Sequence, residues 1–430
     1  MTSGERALAA LVREQRWFGS KSRAFAGARI AGSGPLARHC ALALLEISFS
    51  DGPGELYQVP YRGGGRGAVE LSLADPALAA ALLAAFRRGQ PIETGQGEIA
   101  FDMRGEIPGE LGGVRAVGGE QSNSSIVVGE RAIVKAYRRL EPGESPELEL
   151  LRFLSLHGFR HTPPLLGWYR HAGPPMTTTL GVLQAFVPGA RDGWDDALAS
   201  FADPEPFIER MQRLGEVTGS MHTALASDGF DPAFAPEPFS GDALEWAARG
   251  AETDARALLG SLDPEGPAAA VLARSSEVLD YLRALLAGGG GQIIRQHGDY
   301  HLGQVLWTGS DWVVLDFEGE PARPLAERRG KSSPLRDVAG MLRSLAYAAE
   351  TARSSGTEPP AGWEHEARSA FLSGYASAID PVLLPASAGA RERLLTACEL
   401  EKALYELRYE LDNRPGWVHV PVAGILRLLA

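Results

Sequence analysis

Cysteine is almost absent: Cys40 and Cys398 are the only two in 430 residues. Two thiols cannot build a disulfide framework, and the lack of a CxxC pair argues against a structural zinc site. Both are expected as buried free thiols. Long apolar runs are missing too. No stretch approaches the ~18 residues of a membrane span. The first segment carries Glu5, Arg6, Arg13 and Glu14 and has no apolar centre, so it does not read as a secretory signal. A soluble cytoplasmic protein is the expectation. Positive charge is in short supply: 42 Lys and Arg stand against 54 Asp and Glu, a formal charge of -12. Nucleic acid demands a basic footprint and an anionic membrane attracts basic segments, so neither is an expected partner. No internal repeat is found at periods of roughly 20 to 50 residues. What is present is ordinary: 44% hydrophobic and 22% charged residues, a globular composition long enough for two or three domains.

The pattern along the chain divides it in three. Residues 1–90 read as a unit of their own. Ala7 to Val12 are helical in pattern, Ala41 to Phe49 and Leu56 to Val59 are strands split by Asp51-Gly52-Pro53-Gly54, and Leu71 to Arg87 is a helix. Residues 91–190 are β-rich. Val114 to Val117, Ile126 to Val128, Ala132 to Tyr137 and Thr179 to Phe186 read as strands, and Ser145-Pro146 starts a helix through Leu156. Residues 191–430 are mostly helical, with long helices expected at Phe207 to Ala224, Ala268 to Leu286 and Ala390 to Tyr409. The exception is Gln292 to Asp316, where two short strands flank a loop.

That loop carries the chemistry. His297-Gly298-Asp299-Tyr300-His301-Leu302-Gly303-Gln304 places an Asp two residues after a His and an amide five residues after the Asp, the spacing of a kinase catalytic loop. Asp299 would orient or deprotonate an attacking hydroxyl, and Gln304 would bind magnesium. Asp316 follows an apolar strand in Trp312-Val313-Val314-Leu315-Asp316-Phe317, where a second magnesium ligand belongs, with Glu318 as a helper. Upstream, Lys135 ends the apolar run Ala132-Ile133-Val134 and would reach the ATP phosphates. Glu149 on the next helix is its expected partner, with Glu147 as the competing candidate. The loop at 118–125 lacks GxGxxG, but Ser122 and Ser124 offer donors over the phosphates. Gln184, Phe186 and Val187 precede the Pro188-Gly189 break and would present backbone groups to adenine. Gly330-Lys331-Ser332 is not a Walker motif, because Leu325 stands where the first glycine belongs.

The chain resembles the maltokinase-like branch of the aminoglycoside phosphotransferase superfamily. The carriers are Gln296-His297-Gly298-Asp299-Tyr300-His301-Leu302-Gly303-Gln304-Val305-Leu306 and Asp316-Phe317-Glu318-Gly319-Glu320-Pro321. They continue with Ser333-Pro334-Leu335-Arg336-Asp337-Val338, Tyr405-Glu406-Leu407-Arg408-Tyr409-Glu410 and Asn413-Arg414-Pro415-Gly416-Trp417. Near the start, Gln15-Arg16-Trp17-Phe18-Gly19 is similar. The resemblance implies an α+β, bilobal protein-kinase-like fold. An N-terminal cap subdomain (1–90) would precede a nucleotide lobe (91–190) and a helical lobe holding the acceptor (191–430). It implies an ATP- and magnesium-dependent sugar kinase; separately, a monomer is the expectation.

The branch contains maltokinases and actinobacterial glucosamine kinases. Maltokinases run from Asp-Gly-Trp into an apolar stretch, whereas here Asp195 and Asp196 follow Asp192-Gly193-Trp194, and Asp412 stands between Glu410 and Asn413. An ammonium group wants carboxylates around it, since an unpaired buried charge is costly. The expected product is therefore glucosamine 6-phosphate, with Asp196, His301, Glu410, Asn413 and Trp417 as sugar contacts. Alternatively Asp195 and Asp196 start a helix, Glu410 and Asp412 are solvated, and His301 braces its own loop. Maltose is the next acceptor in line, then an aminoglycoside. A pseudokinase binding module is the non-enzymatic reading, against which stand the intact Lys135, Asp299 and Asp316. Arg323, Arg336 and Asp337 are expected to support the loops.

Overall fold

The computed structural model describes residues 2–15, 17–63, 69–70, 73–107, 112–117, 123–286, 289–321 and 323–430. The chain forms two compact units, Met1–Ser155 with Pro163–Gly189, and Leu156–Thr162 with Ala190–Ala430.

The first unit runs α1 (Ser3–Glu14), β1 (Phe25–Ala37), β2 (Cys40–Phe49), β3 (Gly52–Gly63), β4 (Val69–Glu70), α2 (Pro76–Arg88), β5 (Ile92–Glu93) and β6 (Glu98–Met103). It continues with β7 (Val114–Ala116), β8 (Ser124–Val128), β9 (Ala132–Ala136), β10 (Arg139–Leu140), α3 (Pro146–Leu156), β11 (Leu165–Ala172) and β12 (Thr178–Ala185). One antiparallel sheet has the order β1-β2-β3-β10, with β4 also on β3. A second has the order β5-β6-β11-β12-β9-β8-β7. The apolar run at residues 40–45 of strand β2 has a reason in the fold. Successive side chains point to opposite faces. Leu42 and Leu44 join Leu78, Leu82 and Phe86 of α2 in one core, while Ala43, Leu45 and Ile47 join Leu8 and Val12 of α1 in another. Both faces are covered, and each fully buried leucine contributes about 1.5–3 kcal/mol.

Several expectations shift. The helix drawn from Leu71 starts at Pro76, because the Asp75 carboxylate accepts the Ala77 and Leu78 N–H groups and caps it there. Leu71 itself lies outside the described residues. Strands β1, β6 and β11 were not anticipated. The Gly and Ala in Phe25–Ala37 have low strand propensity, and β1 forms because β2 supplies its partner.

The second unit runs β13 (Arg191–Asp192), α4 (Gly193–Ala199), α5 (Glu205–Leu225), β14 (Glu237–Pro238), α6 (Asp242–Ser261), α7 (Ala269–Leu272), α8 (Ser275–Leu286) and β15 (Gln292–Ile293). Then come β16 (Val305–Trp307), β17 (Trp312–Val314), α9 (Leu325–Arg328), α10 (Leu335–Ser354), α11 (Trp363–Ala378), α12 (Ala388–Asn413) and α13 (His419–Leu428). The helix expected over Ala268 to Leu286 is two helices, because the Ser275 hydroxyl donates to the Leu272 carbonyl and closes a turn between them. Helix α10 packs against α4, α11, α12 and α13, with Val338, Met341, Leu342 and Leu345 fully buried. Strands β13, β16 and β17 form a small sheet whose hairpin, β16 to β17, opens directly from the Asp299 loop.

Candidate active site

The Asp299 loop joins β15 to β16, and Asp337 in the first turn of α10 holds its start. That carboxylate accepts the N–H groups of His297 (2.8 Å) and Gly298 (2.9 Å) and lies 3.0 Å from His222 Nε2. Burial opposes its charge, but the His222 bond, the nearby histidines and the loop amide hold its carboxyl below the ordinary value. His297 Nε2 donates to the Leu315 carbonyl at 2.7 Å, and its Nδ1 accepts the Asp299 N–H at 3.3 Å. One imidazole thus ties the loop to the end of β17, and the Phe317 ring packs against it with centroids 4.8 Å apart. Gly298 (φ +85°) faces Gly319 (φ +74°): a Cβ on Gly298 would stand 3.2 Å from the Gly319 Cα. Both positions need the left-handed region, which glycine enters without steric cost.

Asp299 then projects into a cavity of about 270 Å³ lined by Gln296, Glu320, Arg336, Lys402 and Tyr405 among others. Its Oδ1 accepts from Lys402 Nζ at 3.0 Å, and its Oδ2 is 3.8 Å from His301 Nε2. Burial works against its charge, but the Lys402 ammonium and then His301 hold its carboxyl below the ordinary value. His301 Nδ1 accepts the Gly303 N–H at 3.1 Å, which puts the proton of the neutral ring on Nε2. Burial pushes the His301 pKa down. This histidine braces the loop and faces Asp299 at once.

Across the hairpin, Gln304 Nε2 donates to Asp316 Oδ2 at 3.1 Å. Asp316 holds a left-handed backbone (φ +62°), a cost usually met at functional sites. A carboxylate beside an amide is a hard oxygen donor set and fits magnesium. Glu318 is half-buried two residues on, its carbonyl accepting from Arg328.

In the first unit, Lys135 Nζ lies 3.1 Å from Glu147 Oε2, with both side chains largely buried. The Tyr137 hydroxyl donates to the same oxygen at 2.7 Å.

Residues 113–353 match the model of the phosphotransferase enzyme family, more than half of the chain. The chain belongs to that family. Residues 12–89 of this phosphotransferase match the maltokinase N-terminal cap domain. It is 31% identical over 389 residues to a glucosamine kinase of Streptacidiphilus jiangxiensis, covering 87% of this chain and 86% of that one. A glucosamine kinase of Mycolicibacterium smegmatis is 32% identical over 338 residues, covering 74% and 80%. Among solved structures, a glucosamine kinase in complex with glucosamine, ADP and inorganic phosphate is similar over both whole chains, at 25% identity and a TM-score of 0.73. The fold is the α+β, aminoglycoside-phosphotransferase-like one expected, with its N-terminal cap.

The geometry of this phosphotransferase corrects several residue assignments. Lys135 meets Glu147, the competing candidate, and residues two apart on a helix do not share a face. Ser124 opens β8 with its hydroxyl accepting from Arg138 at 2.6 Å, so it is occupied as a strand residue. Ser122 lies outside the described residues. Gln184 sits between β9 and β11, its backbone within two ladders, and the Phe186 N–H donates to the Arg131 carbonyl. The Phe186 N–H is thus engaged within the first unit.

Asp196 is fully buried in the first turn of α4, bonded by Arg191 (2.9 Å) and by Arg210 (2.9 and 3.1 Å). It is a structural carboxylate. Glu410 is buried and takes the Tyr347 hydroxyl and the Arg414 guanidinium. Asn413 is exposed and bonds the Tyr409 carbonyl, and Trp417 lies under Arg414. None of these four lines the Asp299 cavity. The expected supports hold: Arg323 pairs with Glu320, Arg336 with Glu401, and Asp337 anchors the loop.

Lys402 and Glu320 were missed. Lys402 bridges Asp299 and Glu320 (2.7 Å), and on α12 it shares a face with Cys398 and Tyr405, which carry no sign of an acidic partner.

Proposed function

We propose that this phosphotransferase is an ATP- and magnesium-dependent kinase of D-glucosamine that forms glucosamine 6-phosphate and ADP. The observation that carries the reaction type is Asp299, held ionised at the wall of a sugar-sized cavity on a loop fixed by Asp337 and His297. The acceptor rests on kinship with the two glucosamine kinases, which extends over most of each chain. The charged groups of the cavity wall stand in ion pairs, Lys402 with Glu320 and Arg336 with Glu401, so charge alone does not select an ammonium.

Asp299 accepts a hydrogen bond from the acceptor hydroxyl and takes its proton as the oxygen bonds to the γ-phosphorus and the bond to the ADP oxygen breaks. The transition state is loose, so the protein contributes mainly position and charge. Gln304 and Asp316 would hold magnesium, with Glu318 beside them, and the ion would supply charge neutralisation at the phosphates. Lys135, oriented by Glu147, anchors the phosphates, and Val187 offers a backbone N–H to the nucleotide. Action as a monomer belongs to the same proposal. No described helix is long and apolar enough to cross a membrane, and a cytoplasmic place for the enzyme belongs to the same proposal. The cap match favours maltose as the second reading.

The test is ADP release with ATP and magnesium against glucosamine, glucose, maltose and kanamycin, with phosphorus NMR of the product. Turnover on glucosamine giving a primary phosphomonoester is expected. Turnover on maltose without glucosamine would overturn the acceptor and keep the kinase.

A further inference from the structure

We propose that Lys402 is a positioning residue for the transfer: its ammonium fixes one oxygen of Asp299 and leaves the other to the acceptor hydroxyl. This rests on the reading of Asp299 as the group that meets the acceptor. Lys402 stands on α12, about a hundred residues from the loop it serves, and reaches Asp299 Oδ1 at 3.0 Å and Glu320 Oε1 at 2.7 Å. Among the described residues, Lys402 is the hydrogen-bond donor to the Asp299 carboxylate, with His301 Nε2 at 3.8 Å from the other oxygen.

The bridge joins three segments at once: the Asp299 loop, the stretch after β17 that carries Glu320, and helix α12. Lys402 is itself confined, 16% exposed at the side chain and 4.9 Å from the centre of the Tyr405 ring. Glu320 is held in turn by Arg323. The ammonium is therefore a fixed point and not a mobile surface charge. An Asp side chain has two free torsions, and a carboxylate displaced by about 1 Å loses on the order of a hundredfold in rate. One anchored oxygen restricts both torsions and leaves the second oxygen, on the His301 side, to the acceptor hydroxyl.

The groups facing Asp299 are Lys402 from α12, Glu320 behind it, and His301 and His297 from its own loop. Replacing Lys402 by Met removes the cation, so the Asp299 carboxyl becomes easier to protonate. The acid limb of kcat/KM then moves to higher pH.

Lys402→Met and Lys402→Arg are assayed with glucosamine as acceptor, with melting temperature and pH profile alongside. The expected result is a kcat about 10- to 100-fold lower in the Met variant, an unchanged KM for ATP, an acid limb shifted upward, and recovery of most of the rate in the Arg variant. Lys402→Gln gives the same readouts if the Met variant does not fold. Wild-type kcat in the neutral variant, or a loss that follows melting temperature while the acid limb stays in place, overturns the proposal. Absence of turnover on glucosamine by the wild type, or full activity of Asp299→Asn, would instead refute the reading beneath it.

Discussion

The choice between Glu147 and Glu149 can be settled by two single substitutions. Glu147→Gln keeps the shape of the side chain and removes its charge. Glu147 is only 2% exposed at the side chain, and its Oε2 takes both Lys135 Nζ at 3.1 Å and the Tyr137 hydroxyl at 2.7 Å. Water screens this pair little. A hydrogen bond to a charged group contributes about 1.5–3 kcal/mol. At about 1.36 kcal/mol per decade, kcat/KM for ATP should fall roughly 10- to 150-fold if Lys135 is the phosphate anchor. The Tyr137 hydroxyl can still donate to the amide oxygen, so the fold should persist and the loss should sit in catalysis. Glu149→Gln, on the other side of α3, should leave kcat/KM near the wild-type value. The assay is ADP release at saturating glucosamine over a range of ATP, with melting curves for each variant. A loss in Glu149→Gln with none in Glu147→Gln would refute the pairing.

Asp196→Asn tests the structural reading of that residue. Breaking a fully buried pair costs about 3–5 kcal/mol, but Arg191 is 58% and Arg210 19% exposed at the side chain. Discounted for solvent, a loss of about 1–3 kcal/mol is expected, and roughly 2–4 °C of melting temperature per kcal/mol, with KM for glucosamine unchanged. A raised KM at unchanged melting temperature would return Asp196 to the sugar site. Asp337 predicts a pH dependence. Its folded pKa lies below the ordinary 3.8, so its contribution is present above the unfolded pKa and is lost as pH falls through the lowered folded value. The urea midpoint of the wild type should drop on acidification below about pH 4, and that of Asp337→Asn should drop less; parallel curves would contradict the assignment.

Local pattern made much of the fold legible, and its failures have local causes. The strands around Lys135 and the hairpin after Asp299 are short and apolar with turn residues between them, so their spacing shows in the sequence. Strand β1 does not, because its Gly and Ala have little preference for any conformation and its order comes from pairing with β2. The start of α2 was placed too early because apolar residues before Asp75 continue the helical pattern, while the cap at Asp75 decides the boundary.

The candidate site divides along the same line. Asp299, Gln304 and Asp316 lie on one loop and its hairpin, and contiguity makes their spacing readable. Glu147 and Glu149 share one helical turn, and choosing between them needs the helix phase. A clue was available: on a strand, residues 135 and 137 share a face, so the carboxylate that meets Lys135 should also meet Tyr137, as Glu147 does. Asp195 and Asp196 misled because a carboxylate in the first turn of a helix is stabilised by the helix itself and signals no ligand. Lys402 is the opposite case. Its ammonium stands beside the Tyr405 ring, largely buried, and a buried ammonium is costly unless a carboxylate meets it. The sequence could not name that partner, because the distance from α12 to the Asp299 loop is closed by tertiary packing, and only there does the lysine find the carboxylate it serves.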